Sequence, residues 1–177
     1  MRLLESVDKS HVIECFLRGE LRSPRFRDQI LAAAEACGAD EDKLLAPAAG
    51  DLRKRVLDRF RGDHLGRLFD DPIAWYRALL DADEVLAIRY IDWDFWLELS
   101  GGTRSPVEAA RRIRADGRHW DEPRGDAPPL IVVRRDPATP LTVVEGHVRL
   151  TGFAVHPELL PAELEVLLGE GPAAAGW

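Results

Sequence analysis

Side chains suited to handling a phosphate are densest in one run, Val144-Glu145-Gly146-His147-Val148-Arg149-Leu150-Thr151. A β-branched apolar stretch leads into it, and Leu150, Phe153 and Ala154 follow at helical spacing, so the run reads as a strand turning through Gly146 into a helix. A helix that begins there has unpaired backbone N–H groups and the positive end of its dipole, and both attract anions. Gly146 has no side chain to hold a ligand off the backbone. Arg149 in the first turn offers a two-pronged, charge-assisted contact, and His147 a further donor. Phosphoryl transfer also needs a carboxylate to orient or deprotonate the acceptor, and commonly a divalent ion. Glu145, Asp92, Asp94 and Glu98 are the candidates for that acid.

A second glycine-rich turn, Ser100-Gly-Gly-Thr-Arg104, precedes a helix start. Thr103 and Arg104 could contact a nucleotide there, at its ribose, its base or the acceptor, or the segment is a plain loop. The adjoining Ser105-Pro106-Val107-Glu108 combines an N-cap serine, a first-turn proline and a capping-box glutamate, with Val107, Ala110 and Ile113 as the buried face. A first-turn glutamate repels phosphate, which favours the Gly146 turn as the phosphate site. Asp92-Trp93-Asp94-Phe95-Trp96 is left open between strand and helix. On a strand Asp92 and Asp94 share one side; on a helix they diverge by about 200°.

The elements that must position these groups are read as follows. Val12, Ile13, Phe16 and Leu17 share a helical face that stops at Gly19. Ser23-Pro24 starts a second helix, with Phe26, Ile30 and Ala34 on one stripe up to Gly38. Leu52, Val56, Leu57 and Phe60 form a third stripe ending at Gly62. Asp81 and Glu84 cap a short helix through Ile88. Residues 118–129 read as a loop. Leu130–Val133 and Leu141–Val144 form an antiparallel hairpin, and Leu164–Leu168 a last strand. The division expected is a helical N-terminal part over 1–84 packed on a core domain over 85–177.

Composition narrows the function classes. The chain has 177 residues, 46% of them hydrophobic and 31% charged, enough for a core without disulfides. Thirty-one acids against 24 bases give a formal charge of −7, which disfavours nucleic acid as a partner. Only Lys9, Lys43 and Lys54 are lysines; the other cations are arginines, suited to paired contacts with phosphate or carboxylate. Arg111, Arg112, Arg114, Arg118, Arg124, Arg134 and Arg135, interrupted by acids, read as solvated surface. Cys15 and Cys37 read as reduced core residues. The histidines, His11, His64, His119, His147 and His156, show no zinc-ligand spacing. The tryptophans read as core, one of them able to stack on a base, with Trp177 docking the tail. No apolar run is long enough to span a membrane and no secretion signal is expected, so a cytoplasmic protein is the expectation.

The order of hairpin, Glu145-Gly146-His147-Val148-Arg149 turn and short helix resembles the ParB/sulfiredoxin-like superfamily, whose members set a Gly-x-x-Arg turn against nucleotide phosphates. The resemblance runs from about Val85 to Trp177, best over 129–133 and 141–155 and more loosely over 106–113. Uncharacterised bacterial proteins look similar along nearly the whole chain, including Leu99-Ser-Gly-Gly-Thr-Arg104. Sulfiredoxins hold a reactive cysteine where His147 stands, so that chemistry is not implied. Chromosome-segregation ParB proteins have a basic Gly-Glu-Arg-Arg turn and a following helix-turn-helix, whereas 28 residues follow Arg149 here. The free-serine kinases of the superfamily use acid-Gly-His-x-Arg, which Glu145 to Arg149 matches. The resemblance therefore implies an α+β fold, with a small mixed β-sheet of the ParB/sulfiredoxin type and a helical N-terminal part. It implies a nucleoside triphosphate with Mg²⁺, bound through Gly146, His147, Arg149, Thr103 and Arg104, with Glu145, Asp92 and His147 catalytic. The activity implied is an NTPase or small-molecule phosphotransferase, with a homo-oligomer possible. The alternative is a non-catalytic nucleotide- or protein-binding regulatory module.

Overall fold

A computed structural model describes residues 1–62, 65, 67–70 and 72–177; His64 lies outside the described residues. In chain order the elements are β1 (Arg2–Ser6), α1 (Lys9–Leu21), α2 (Arg27–Ala36), α3 (Glu41–Leu45), α4 (Gly50–Arg61) and α5 (Arg67–Asp70). There follow β2 (Ala74–Asp81), α6 (Ala82–Leu86), α7 (Asp94–Leu99), α8 (Pro106–Ala115), β3 (Leu130–Arg134), β4 (Thr142–Glu145), α9 (His147–Val155) and β5 (Glu163–Glu170). The strands form one mixed sheet in the order β1-β2-β5-β3-β4, with β3 and β5 parallel and the other pairs antiparallel. The protein is α+β.

Strand alternation divides the core into two layers. Ile131, Val133 and Leu167 face one way and pack with Val12, Phe16, Ile30, Val56 and Leu57 of α1, α2 and α4. Leu130, Val132, Val166 and Leu168 face the other way, onto Val85, Trp96, Leu99, Ile113 and Leu150 of α6 to α9. β5 is buried on both faces, which is why its Val166-Leu167-Leu168 run is apolar without alternation. Arg53 is 2% exposed and ties the helices of the first layer together. It donates to Leu44 O (3.1 Å) and Ala46 O (2.8 Å) and pairs with Glu14 (2.9 Å).

Local signals set several boundaries as expected. Asp81 and Glu84 form a reciprocal capping box, although the helix ends at Leu86 rather than at Ile88. Ser105 caps α8, and Gly62 follows α4. The hairpin of β3 and β4 and the strand β5 are present, and Trp177 packs against both core layers.

Four readings need correction. The N-terminal part is not wholly helical: it supplies β1 and β2, and β2 pairs along its length with β5. Gly19 lies inside α1, which continues to Leu21. Ser23-Pro24 makes a turn, and α2 begins only at Arg27. Val107 is exposed, and α8 buries Pro106, Ala109, Ala110 and Ile113. The open segment 92–96 enters α7, whose Trp96 and Leu99, three apart, form its buried face.

Candidate functional site

The end of β4 is built by one irregularity. Ile131 pairs with Glu145 and Val132 with Val143, so Val144 is the extra residue of a β-bulge. Without it Val144 and Glu145 would point to opposite layers. With it Val144 joins the α1 layer, as does Ile131, the residue opposite Glu145. The Glu145 carboxylate consequently lies against α1, with Oε1 3.2 Å from where a Cβ on Gly19 would stand. Gly19 thus clears space for Glu145, which accounts for a glycine in mid-helix despite its poor propensity.

Two carboxyl groups meet there. Burial, with the Glu20 charge beside it, pushes the Glu145 carboxyl up to about 8, against the pull of Arg149, the Gly146 backbone N–H and Arg61. Glu20 is itself pushed up by burial to about 7, opposed by Arg61 and Arg25. Arg61 and Arg25 are held in place across aromatic faces, both over Phe26 and Arg61 also over Phe60.

Gly146 has φ 97°, and a Cβ there would collide with Leu130 Cδ2 and stand 3.1 Å from Arg149 Nη2. This is a position where only glycine fits. Arg149 folds back over it and donates Nη1 to Pro128 O, while its buried Nε has no hydrogen-bond partner among the described residues. Burial pulls the Arg149 pKa down and Glu145 pushes it up.

His147, expected to join these groups on a phosphate, turns into the opposite layer. Its ring stacks on Trp96 at 4.9 Å, with Tyr90 and Trp93 at 6.3 and 6.4 Å. It is 9% exposed, its Nε2 is buried without a partner among the described residues, and burial pulls its pKa to about 3. The imidazole is neutral at physiological pH. Thr151 Oγ1 donates to His147 O (2.8 Å), so the Tyr90 hydroxyl must be the donor in its 2.6 Å bond to Thr151.

The remaining expected residues lie apart from Glu145. Asp92 is exposed beside Trp93, on the aromatic side of the sheet, and Asp94 and Glu98 are exposed on α7. Thr103 Oγ1 donates to Ser100 O (2.8 Å). Arg104 is fixed on Tyr90, donating Nε to Tyr90 O (2.6 Å) while its own carbonyl accepts from Tyr90 N. The adjacent Arg89 pairs with Thr142 at the start of β4. Three strand steps of about 3.3 Å separate that position from Glu145, so Arg104 and Arg149 flank opposite ends of β4, about 10 Å of strand apart.

The structure therefore gathers Glu145, Gly146 and Arg149, and adds Gly19, Glu20, Arg25 and Arg61, which sequence reasoning missed. The one available signal was a glycine inside a strong amphipathic pattern. Phosphate suits this turn through the backbone N–H groups of α9 and the unpartnered Arg149 Nε. Among the described residues no three His, Cys, Asp or Glu are grouped so as to hold a metal ion. Among the described residues no helix is long and apolar enough to cross a membrane. Comparison with family models, curated proteins and solved structures finds no match to the chain.

Proposed function

We propose that the chain binds the phosphates of a nucleoside triphosphate at the Gly146–Arg149 turn, and hydrolyses it or transfers its terminal phosphoryl group to a small acceptor. The observation that carries this reading is the half-buried Arg149 guanidinium, laid over a left-handed glycine with its Nε unpartnered and a proton-holding carboxyl beside it. Arg149 and the first-turn N–H groups of α9 meet the phosphate charge. Glu145, deprotonated, takes the proton from the acceptor hydroxyl or water as its oxygen bonds to phosphorus. The bond to the leaving diphosphate then breaks. A carboxyl pushed up to about 8 exchanges that proton near neutral pH, where a general base is most effective. The resemblance of Glu145 to Arg149 to the acid-Gly-His-x-Arg turn of free-serine kinases supports the same reading.

One observation favours the second reading, a non-catalytic nucleotide- or protein-binding regulator. His147 is enclosed by Tyr90, Trp93 and Trp96, with Asp92 exposed on that side, so neither joins Glu145 at the turn. The two readings separate by incubating the protein with each nucleoside triphosphate and Mg²⁺, measuring binding and phosphate release side by side. Turnover that Glu145→Gln removes while binding survives, and that Arg149→Ala removes together with binding, upholds the enzyme. Saturable binding without release selects the regulator, and no binding of any triphosphate overturns the enzyme and the nucleotide-binding form of the regulator alike.

A further inference from the structure

At the other end of β4 a cavity of about 160 Å³ is lined by Arg89, Arg104, Arg134, Arg135, Thr139 and Thr142, among others. That is several times the roughly 30 Å³ that one water occupies in the liquid, and is room for a tetrahedral oxyanion. Its lining is unusual for an acidic protein. Two of the four guanidiniums are answered by carboxylates, Arg134 by Glu170 (2.7 Å) and Arg135 by Asp136 (2.7 Å). Thr142 donates toward Trp177 O at 3.5 Å, so the C-terminal residue closes one wall. Arg89 and Arg104 complete the ring.

Arg104 is built for a fixed task. It is the one non-glycine at positive φ among the described residues (61°), a conformation that side chains with a Cβ rarely adopt. Gly101 and Gly102, at φ 63° and 82°, lead the chain into it. Its backbone N–H donates to Ser100 Oγ (3.0 Å), and its carbonyl and Nε grip the Tyr90 backbone from both sides. The fork that remains has a buried Nη2 with no hydrogen-bond partner among the described residues. A buried N–H of a cation left without an acceptor is costly, and a strained backbone that positions it adds to that cost. Both costs fall at one residue lining a cavity, as they do where a ligand supplies the missing acceptor.

We propose that this cavity binds a phosphate group, free or carried by a small molecule, held by Arg104 and Arg89 and rimmed by Arg134 and Arg135. The site is independent of the Gly146 turn, from which β4 separates it. The test titrates the full chain with inorganic phosphate, and with glycerol phosphate, by calorimetry against chloride at matched ionic strength. Glycine adopts φ 61° readily, so Arg104→Gly removes the guanidinium without straining the fold, and Arg89→Gln alters an exposed side chain. The titrations are run in the Arg149→Ala background, which removes the turn as a competing phosphate site, and the expected result there is saturable binding that each of these two variants weakens at least tenfold. Preference for glycerol phosphate over inorganic phosphate identifies a phosphorylated small molecule as the ligand, and the reverse identifies free phosphate; both uphold the site. Phosphate that acts no differently from chloride, binding that survives in both cavity variants, or binding lost in Arg149→Ala overturns it. Because triphosphate binding at the turn is read with Arg149→Ala, failure of that site leaves this result standing, and the converse holds.

Discussion

The two ends of β4 handle charge in opposite ways. At its α9 end Glu145 and Glu20 are half-buried together, and the fold raises both carboxyl pKa values rather than leave two poorly hydrated negative charges side by side. At its hairpin end the arginines surround open space, and two of them are answered individually by carboxylates. Four residues of strand thus join a region suited to holding a proton to one suited to holding an anion. Sign and enclosure together make the difference: carboxyls covered by α1 keep their protons, whereas guanidiniums beside a cavity keep their charge and attract anions.

The largest expected effect that probes this contrast is at Gly146. A valine there adds a left-handed penalty of about 1–2 kcal/mol and a clash with Leu130 costing about 1–3 kcal/mol. Urea denaturation should show a loss within the sum of those ranges, and a loss below about 1 kcal/mol would mean the turn can relax. Glu145→Gln should change the pH dependence of stability. The Glu145 carboxyl is raised in the fold from 4.5 to about 8, so it favours the folded state most fully below pH 4.5, and that contribution drains away as the pH climbs through 8. Glutamine should flatten this part of the pH profile, measured by denaturation between pH 5 and 8.5, roughly the window those values bracket. A profile unchanged by the substitution would show that Glu145 is not enclosed with its proton.

Smaller effects refine the picture. His147→Phe keeps a ring in the Trp96 stack and removes a buried nitrogen without a partner, a group that costs about 1–3 kcal/mol. Differential scanning calorimetry should show a melting temperature about 2–4 °C higher per kcal/mol recovered. A fall instead would reveal a partner for that nitrogen. Arg104→Gly should leave stability in phosphate-free buffer within about 1 kcal/mol of the parent, because the lost bond to Tyr90 O is offset by relief of the left-handed backbone.

Where the chain carries its own punctuation, its structure was readable. The capping box of Asp81 and Glu84, the Ser105 cap and the β3–β4 hairpin are decided by residues within a few positions of one another. β2 was not readable, because Trp75 to Leu80 becomes a strand through its pairing with β5, almost ninety residues later. At the candidate site, Glu145, Gly146 and Arg149 could be picked out as neighbours in sequence. Glu20 and Arg61 could not, since they reach Glu145 from α1 and the end of α4. The placement of His147 could not be read from its neighbours in sequence, because the aromatic residues that enclose it come from segments around 90 and 93–96.

The extra residue at Val144 makes the direction of Glu145 a matter of counting. Were the ladder regular there at the same length, with Val144 opposite Ile131, the motif from Glu145 to Arg149 would survive letter for letter while its acid swung toward the tryptophans and away from Gly19 and Glu20. The same five letters can thus present their acid to either layer, and the bulge before them decides which.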